Sequence, residues 1–198
     1  MKAYKAFNTD LTCTRGNGTY QYRAGKTYFT EQSQTARTGF HCCENPVDCL
    51  TWYPLPLGKK GRIFTVDAEG DIDEIEDKIA CTQITIGKEL NLRGLVLEAC
   101  KYIIRHPERT YKNRGIRYEI GENIAIAEED GFAIARGVNP AVKGRTGAVV
   151  AVLVENQENP NEFVDAKIAS VGIDIEPDTW YTVQEGTWEV DKNEKKVS

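Results

Sequence analysis

Apolar and polar positions alternate in short runs along most of this chain, and only one long stretch repeats at the spacing of a helix. KAYKAF, residues 2–7, alternates loosely and predicts a first strand. Arg15-Gly16-Asn17-Gly18 predicts a turn, because Asn-Gly tolerates positive φ, and a second strand begins at Tyr20–Tyr22. EQSQTART, residues 31–38, is polar and loop-like, and Phe40–Cys43 predicts a short strand. Asn45 suits a helix N-cap, Pro46 the first helical position and Asp48 the positive end of the helix dipole. A helix from Pro46 to about Tyr53 is therefore expected, with Val47, Leu50 and Tyr53 on one stripe and Pro54 and Pro56 ending it. GRIFTV (61–66) and IACTQITI (79–86) predict further strands. Leu92, Leu95, Val96, Ala99, Tyr102 and Ile103 recur at three- and four-residue spacing and predict a long helix over 92–104.

The second half carries an internal repeat. Written in eights, residues 124–155 read IAIAEEDG, FAIARGVN, PAVKGRTG and AVVAVLVE. The triplets Ala125-Ile126-Ala127, Ala133-Ile134-Ala135 and then Ala141-Val142 fall in register, with Gly131, Asn139 and Gly147 closing their eights. This period predicts a short β-solenoid or β-roll of eight-residue coils, with Ile126, Ile134, Val142 and Val150 facing inward. Ala166–Val171 predicts a later strand, and Trp180–Val183 should pair with Thr187–Val190 across Gln184-Glu185-Gly186. The fold class expected is thus α+β, with three parts. Residues 1–106 form an amino-terminal mixed α/β domain, 107–155 the β-roll, and 156–198 a β segment with a closing hairpin and a frayed polar tail.

Composition narrows the functional classes. The chain has 198 residues, 40% of them hydrophobic, enough to bury a core without staples. A net charge of −5 and a pI near 5.2 argue against general nucleic-acid binding, which needs a basic face. RHPERTYKNRGIR, residues 105–117, is the local exception and reads as a solvated surface. The opening MKAYKAFNTD lacks the apolar core of a secretory signal, and no run approaches the roughly 20 apolar residues of a membrane span. A soluble, cytoplasmic protein of a bacterial host cell is expected, with its six cysteines reduced.

Two stretches concentrate chemistry. DAEGDIDEIED, residues 67–77, carries seven acids, but Ile72 stands where a calcium loop needs glycine, so an exposed acidic loop is expected. GFHCCENPVDCL, residues 39–50, holds His41 and three cysteines. His41, Cys43 and Cys49 are the metal-ligand candidates, but the paired spacing of a structural zinc site is missing and no metal or other cofactor is expected. Cys42 or Cys43 near a helix amino terminus would suit a nucleophile, yet the only other histidine, His106, sits in no recognisable pairing. A packed, structural role for these thiols is the reading adopted.

MKAYKAFNTDLTC, YRAGKTY and GFHCCENPVDCLTWY, with VGIDIEPDTWYTVQEGTWE near the end, resemble an uncharacterised family common in phages and prophages. The resemblance covers most of the chain and carries no assigned reaction. The order YKAF, GFHCCE, NPVDCLTWY, RIFTV is also similar to the ADP-ribosyltransferase-like fold. There, polar side chains on the first strand and on the glycine-led strand cradle NAD, and Lys5 and His41 stand at the matching positions. The catalytic glutamate of that fold has no counterpart here.

The first resemblance implies a phage-type setting, and the repeat and the lack of a catalytic set fit an accessory protein acting as a non-catalytic binding module, with antagonism of host defence as a role. An NAD-dependent transferase is the enzyme alternative, and a virion or adhesion component the structural one. Lys5, His41 and Glu44 are the ligand-binding candidates. A protein partner and a small nucleotide are the expected binders, membranes are not, and homo-oligomerisation is left open.

Overall fold

The computed structural model describes residues 1–14, 18–111 and 117–192. The Arg15–Gly18 turn, the basic stretch 105–117 and the polar tail lie wholly or partly outside these residues. Strand takes up 52% and helix 11% of the structure, so the protein is mainly β rather than α+β. It divides into two compact units, Met1–Asn91 and Leu92–Ser198.

The first unit contains β1 (Lys2–Phe7), β2 (Thr12–Cys13), β3 (Tyr20–Gln21), β4 (Thr27–Phe29), β5 (Phe40–Cys42), β6 (Arg62–Ile75) and β7 (Lys78–Leu90). β1, β6 and β7 pair antiparallel in that order, and the far edge of β7 takes β4 and β5. Just past β5, Tyr4 and Cys43 exchange both backbone hydrogen bonds at 2.7 and 2.8 Å. The ring of pairings β1–β6–β7–β5–β1 thereby closes on itself, and the sheet is nearly a barrel. Alternation along the strands sends Ala3, Phe7, Phe64, Val66, Ala68, Phe40, Cys42, Ile79 and Cys81 into one interior cluster.

This architecture corrects the ADP-ribosyltransferase-like expectation. The expected crossover helix is a single 3-10 stretch, Pro46–Thr51, capped by the Asn45 side chain accepting from Val47 N. Its six residues cannot cover a sheet as the α/β layers of that fold require. The acidic residues 67–77 are also not a loop. They form the outer half of β6 and the turn at Glu76 (φ 56°) and Asp77, which leads straight into β7. Asp and Glu have weak strand preference, but here the ladder to β7 satisfies their backbone while their side chains face water.

The second unit begins with α1 (Leu92–Arg105), followed by β8 (Tyr118–Ala127), β9 (Phe132–Gly144), β10 (Val149–Glu155), β11 (Phe163–Ser170), β12 (Tyr181–Gln184) and β13 (Thr187–Val190). β9 is central. It runs parallel to both β8 and β10, and its far end meets β12 at Val142 and Tyr181, while β10 pairs antiparallel with β11. β12 and β13 form the closing hairpin around Glu185 and Gly186. Among the described residues no helix is long and apolar enough to cross a membrane.

The eight-residue coils are not present. Tyr118 lies against Phe132 and Phe132 against Val149, roughly twice the expected spacing. The small-apolar-small triplets are ordinary period-two alternation within long strands. Ala125, Ala127, Ala133, Ala135, Val142, Val150 and Val152 share one core. Ile134 and Leu153 point to the opposite face, which α1 covers. Asn139, expected at a left-handed corner, lies within β9, and Ile126 is half-buried rather than inward. The turn before β9 falls at Glu129 and Asp130, where Asp130 takes the positive φ of 56°, and a Cβ on Gly131 would run into the Arg117 carbonyl.

This register separates two positions that an eight-residue coil makes equivalent. Ile134→Asp buries a charge without a partner and should lower unfolding free energy by about 3–5 kcal/mol. Ile126→Asp at the half-buried site should cost clearly less. Urea denaturation of both variants measures the difference, and equal losses would contradict the register.

Candidate functional site

β1 reads apolar on its inward face except at one position. Lys5 shares that face with Ala3 and Phe7, and only 5% of it is exposed. Its ammonium donates to the His41 carbonyl at 2.6 Å and lies 5.3 Å from the Tyr22 ring centroid and 5.6 Å from that of Phe7. Cation–π attraction to two rings offsets part of the lost hydration. The described residues supply this ammonium with one hydrogen-bond acceptor and no carboxylate. A buried cation is ordinarily paired, so this arrangement needs a reason.

A pocket of about 610 Å³ opens beside it, walled by Lys5, Tyr20, Tyr22, Phe40, His41 and Trp52 among others. That size suits a small molecule. Tyr20, Tyr22, Tyr28 and Phe40 form an aromatic cluster with centroids 4.7–6.3 Å apart, mostly edge-to-face or tilted. The described lining holds three cations, Lys5, Arg37 and Lys78, and no Asp or Glu. Lys78 Nζ sits 4.8 Å from the Trp52 ring centroid at its rim.

One wall is the loop before β5. Gly39, at φ +92°, turns it into the strand, a conformation that favours glycine. Ala36 N donates to His41 Nε2 at 3.0 Å, which fixes that nitrogen as an acceptor. Burial holds the His41 imidazole below its ordinary pKa, the Lys5 charge adds to this, and the Gln34 carbonyl opposes it. The same loop is tied to the acidic strand. Thr35 N donates to Asp73 Oδ2 at 2.6 Å, and Thr35 Oγ1 to the Asp73 carbonyl at 2.8 Å. The first of these bonds holds the Asp73 carboxyl below the usual carboxylate range.

All six cysteines carry free thiols. Neighbours in a strand face opposite ways, so Cys42 meets Cys81 on one side and Cys43 meets Cys49 on the other. The hydrogen bond to Cys81, then burial, pushes the Cys42 thiol up, and Cys43 and burial do the same to Cys49. Cys49 also donates to the Tyr4 carbonyl at 3.5 Å. In the second unit burial pushes Cys100 up to about 12. Such thiols stay protonated near neutral pH and are poor nucleophiles.

Of the sequence-derived candidates, Lys5 and His41 meet at the pocket, and Glu44 lies outside its lining. His41, Cys43 and Cys49 all border it, yet among the described residues no group of three or more His, Cys, Asp or Glu is placed to hold a metal ion. Sequence reasoning missed Tyr22, Arg37, Trp52, Lys78 and Asp73. Tyr20 and Tyr22 at alternate positions were the legible signal for an aromatic wall. Nothing local marks Lys78, which reaches the rim because it follows the Glu76–Asp77 turn.

Residues 1–98 match the family described as Domain of unknown function (DUF7666). Every described lining residue of the pocket falls inside the matched segment. Similarity to an uncharacterised family is thereby shown for this part of the chain. No curated protein matches the chain, and no solved structure does either.

Because folding lowers the His41 pKa, the unfolded chain takes up the proton more readily. This contribution to stability is complete above the ordinary histidine value and declines as pH falls through it toward the lower, folded value. The melting temperature should drop between pH 7.5 and 5.5, and His41→Gln should flatten that slope. Identical slopes in parent and variant would remove His41 as the cause.

Proposed function

We propose that this chain is a non-catalytic binding module of phage or prophage type, whose amino-terminal unit takes a small molecule into the pocket beside Lys5. The observation that carries this reading is the buried Lys5 ammonium at the wall of an aromatic pocket, which among the described residues has one hydrogen-bond acceptor and no counter-carboxylate. Keeping a desolvated cation there lowers stability unless a bound group satisfies its remaining donors.

The lining also supports binding rather than turnover. The described wall offers no carboxylate as general base or nucleophile, the Cys42 and Cys49 thiols are pushed up by their thiol partners and by burial, and His41 Nε2 already accepts from Ala36. The transferase alternative drew on a fold that the structure does not have. A binder without turnover acts by sequestration, which is the simplest way for an accessory protein to antagonise a host response. The phage setting rests on the sequence resemblance described above.

Incubation with a small-molecule extract of bacterial cells, followed by native mass spectrometry, should retain a bound small molecule on the parent. Lys5→Met should lose that mass while melting at the same or a higher temperature. No retained mass on the parent, or equal retention by the variant, would overturn the reading. Labelled NAD added with lysate should leave no label on protein, and transfer that disappears in His41→Ala would establish an enzyme instead.

A further inference from the structure

The electrostatics of the pocket run against those of the chain. The whole protein carries a net charge of −5, yet the described lining holds Lys5, Arg37 and Lys78 with no acid. Low-dielectric walls focus the field of such a cleft and raise the local concentration of anions. Lys5 is the innermost of the three and 95% buried, and its unshared donors make it the anchor. A charge-assisted hydrogen bond from a desolvated ammonium is worth about twice a neutral one.

The rest of the wall selects a shape. Three rings at the pocket stand out in water, Tyr20 at 46%, Phe29 at 71% and Trp52 at 38% exposure. Exposed aromatic surface gathered at a cavity marks a place where a ligand replaces water, and π faces favour flat partners. His41, held neutral, adds no charge against an apolar body.

We infer that the ligand is a small organic anion built on a flat ring, with its phosphate monoester or carboxylate at Lys5 and its ring among the exposed aromatics. This inference rests on the binding-module reading and names its ligand class. Both anionic groups share the chemistry the ammonium requires, and the measurement tells them apart.

Isothermal titration uses five probes: a nucleoside monophosphate, its parent nucleoside, an indole carboxylate, neutral indole and inorganic phosphate. Each ring-bearing anion should bind at least about 10-fold tighter than its neutral counterpart, which corresponds to about 1.4 kcal/mol. Inorganic phosphate should bind more weakly than the phosphate-bearing ring. The tighter of the two anionic rings identifies the headgroup. Raising salt should weaken the anions and leave the neutral rings unchanged. Lys5→Met should abolish the discrimination. Lys78→Gln, at the rim and outside the interior cluster, should reduce it several-fold and serves if the first variant fails to fold. Neutral rings binding as tightly as anions would overturn the anion inference and leave the binding module standing. Absence of binding by all five, in a protein that retains no small molecule from cell extract, would overturn both.

Discussion

The reciprocal backbone pair between Tyr4 and Cys43 is the constraint on which the amino-terminal unit depends. Without it, β1 would be an edge strand and its inward residues would border water. With it, the sheet closes, and the interior must accept whatever β1 carries at alternate positions. Ala3 and Phe7 suit that environment, whereas Lys5 enters it under protest from its own hydration. The closure also brings the His41 carbonyl within reach of the ammonium, so one pair of hydrogen bonds both builds the core and creates its charged exception.

A second dependence runs through the acidic strand. Its carboxylates contribute nothing to the core, yet Asp73 holds Thr35, and Thr35 adjoins Ala36, which bonds His41. The pocket wall is therefore fixed from outside by a carboxylate and from inside by an imidazole. The β6–β7 register shifts between Glu69 and Ile72, where Gly70 takes a positive φ of 79°, directly before the residues that anchor the loop.

The sequence was legible wherever local chemistry decides the outcome. β1, the Asn45 cap, the 92–105 helix and the hairpin around Glu185-Gly186 each follow from alternation, capping or turn residues within a few positions. It was misleading where pairing is non-local. The Ala-Ile-Ala triplets look like a short repeat, but strand alternation and coil periodicity produce the same small-apolar-small signature, and only the partner strand distinguishes them. Residues 67–75 look like a loop because five acids lower strand preference, and the β7 ladder overrides that. Lys5 and His41 were paired only through the resemblance to an NAD cradle, on a fold that the structure does not have. Their meeting across the sheet closure, and the arrival of Arg37 and Lys78, depend on contacts that no window of sequence contains.

The tether between Thr35 and Asp73 divides an acidic stretch that looks uniform. Glu74 and Glu76 face water beyond the tether, and the pocket wall does not rest on them. Asp71 and Asp73 hold Ser33 and Thr35. Over generations the first pair is open to drift toward lysine, serine or asparagine with little consequence, since only solvent registers the change. The second pair is answerable to the far side of the sheet, and a swap there must be matched in the loop. Surface residues of the same type and charge would then evolve at different rates, set by which of them the pocket wall hangs from.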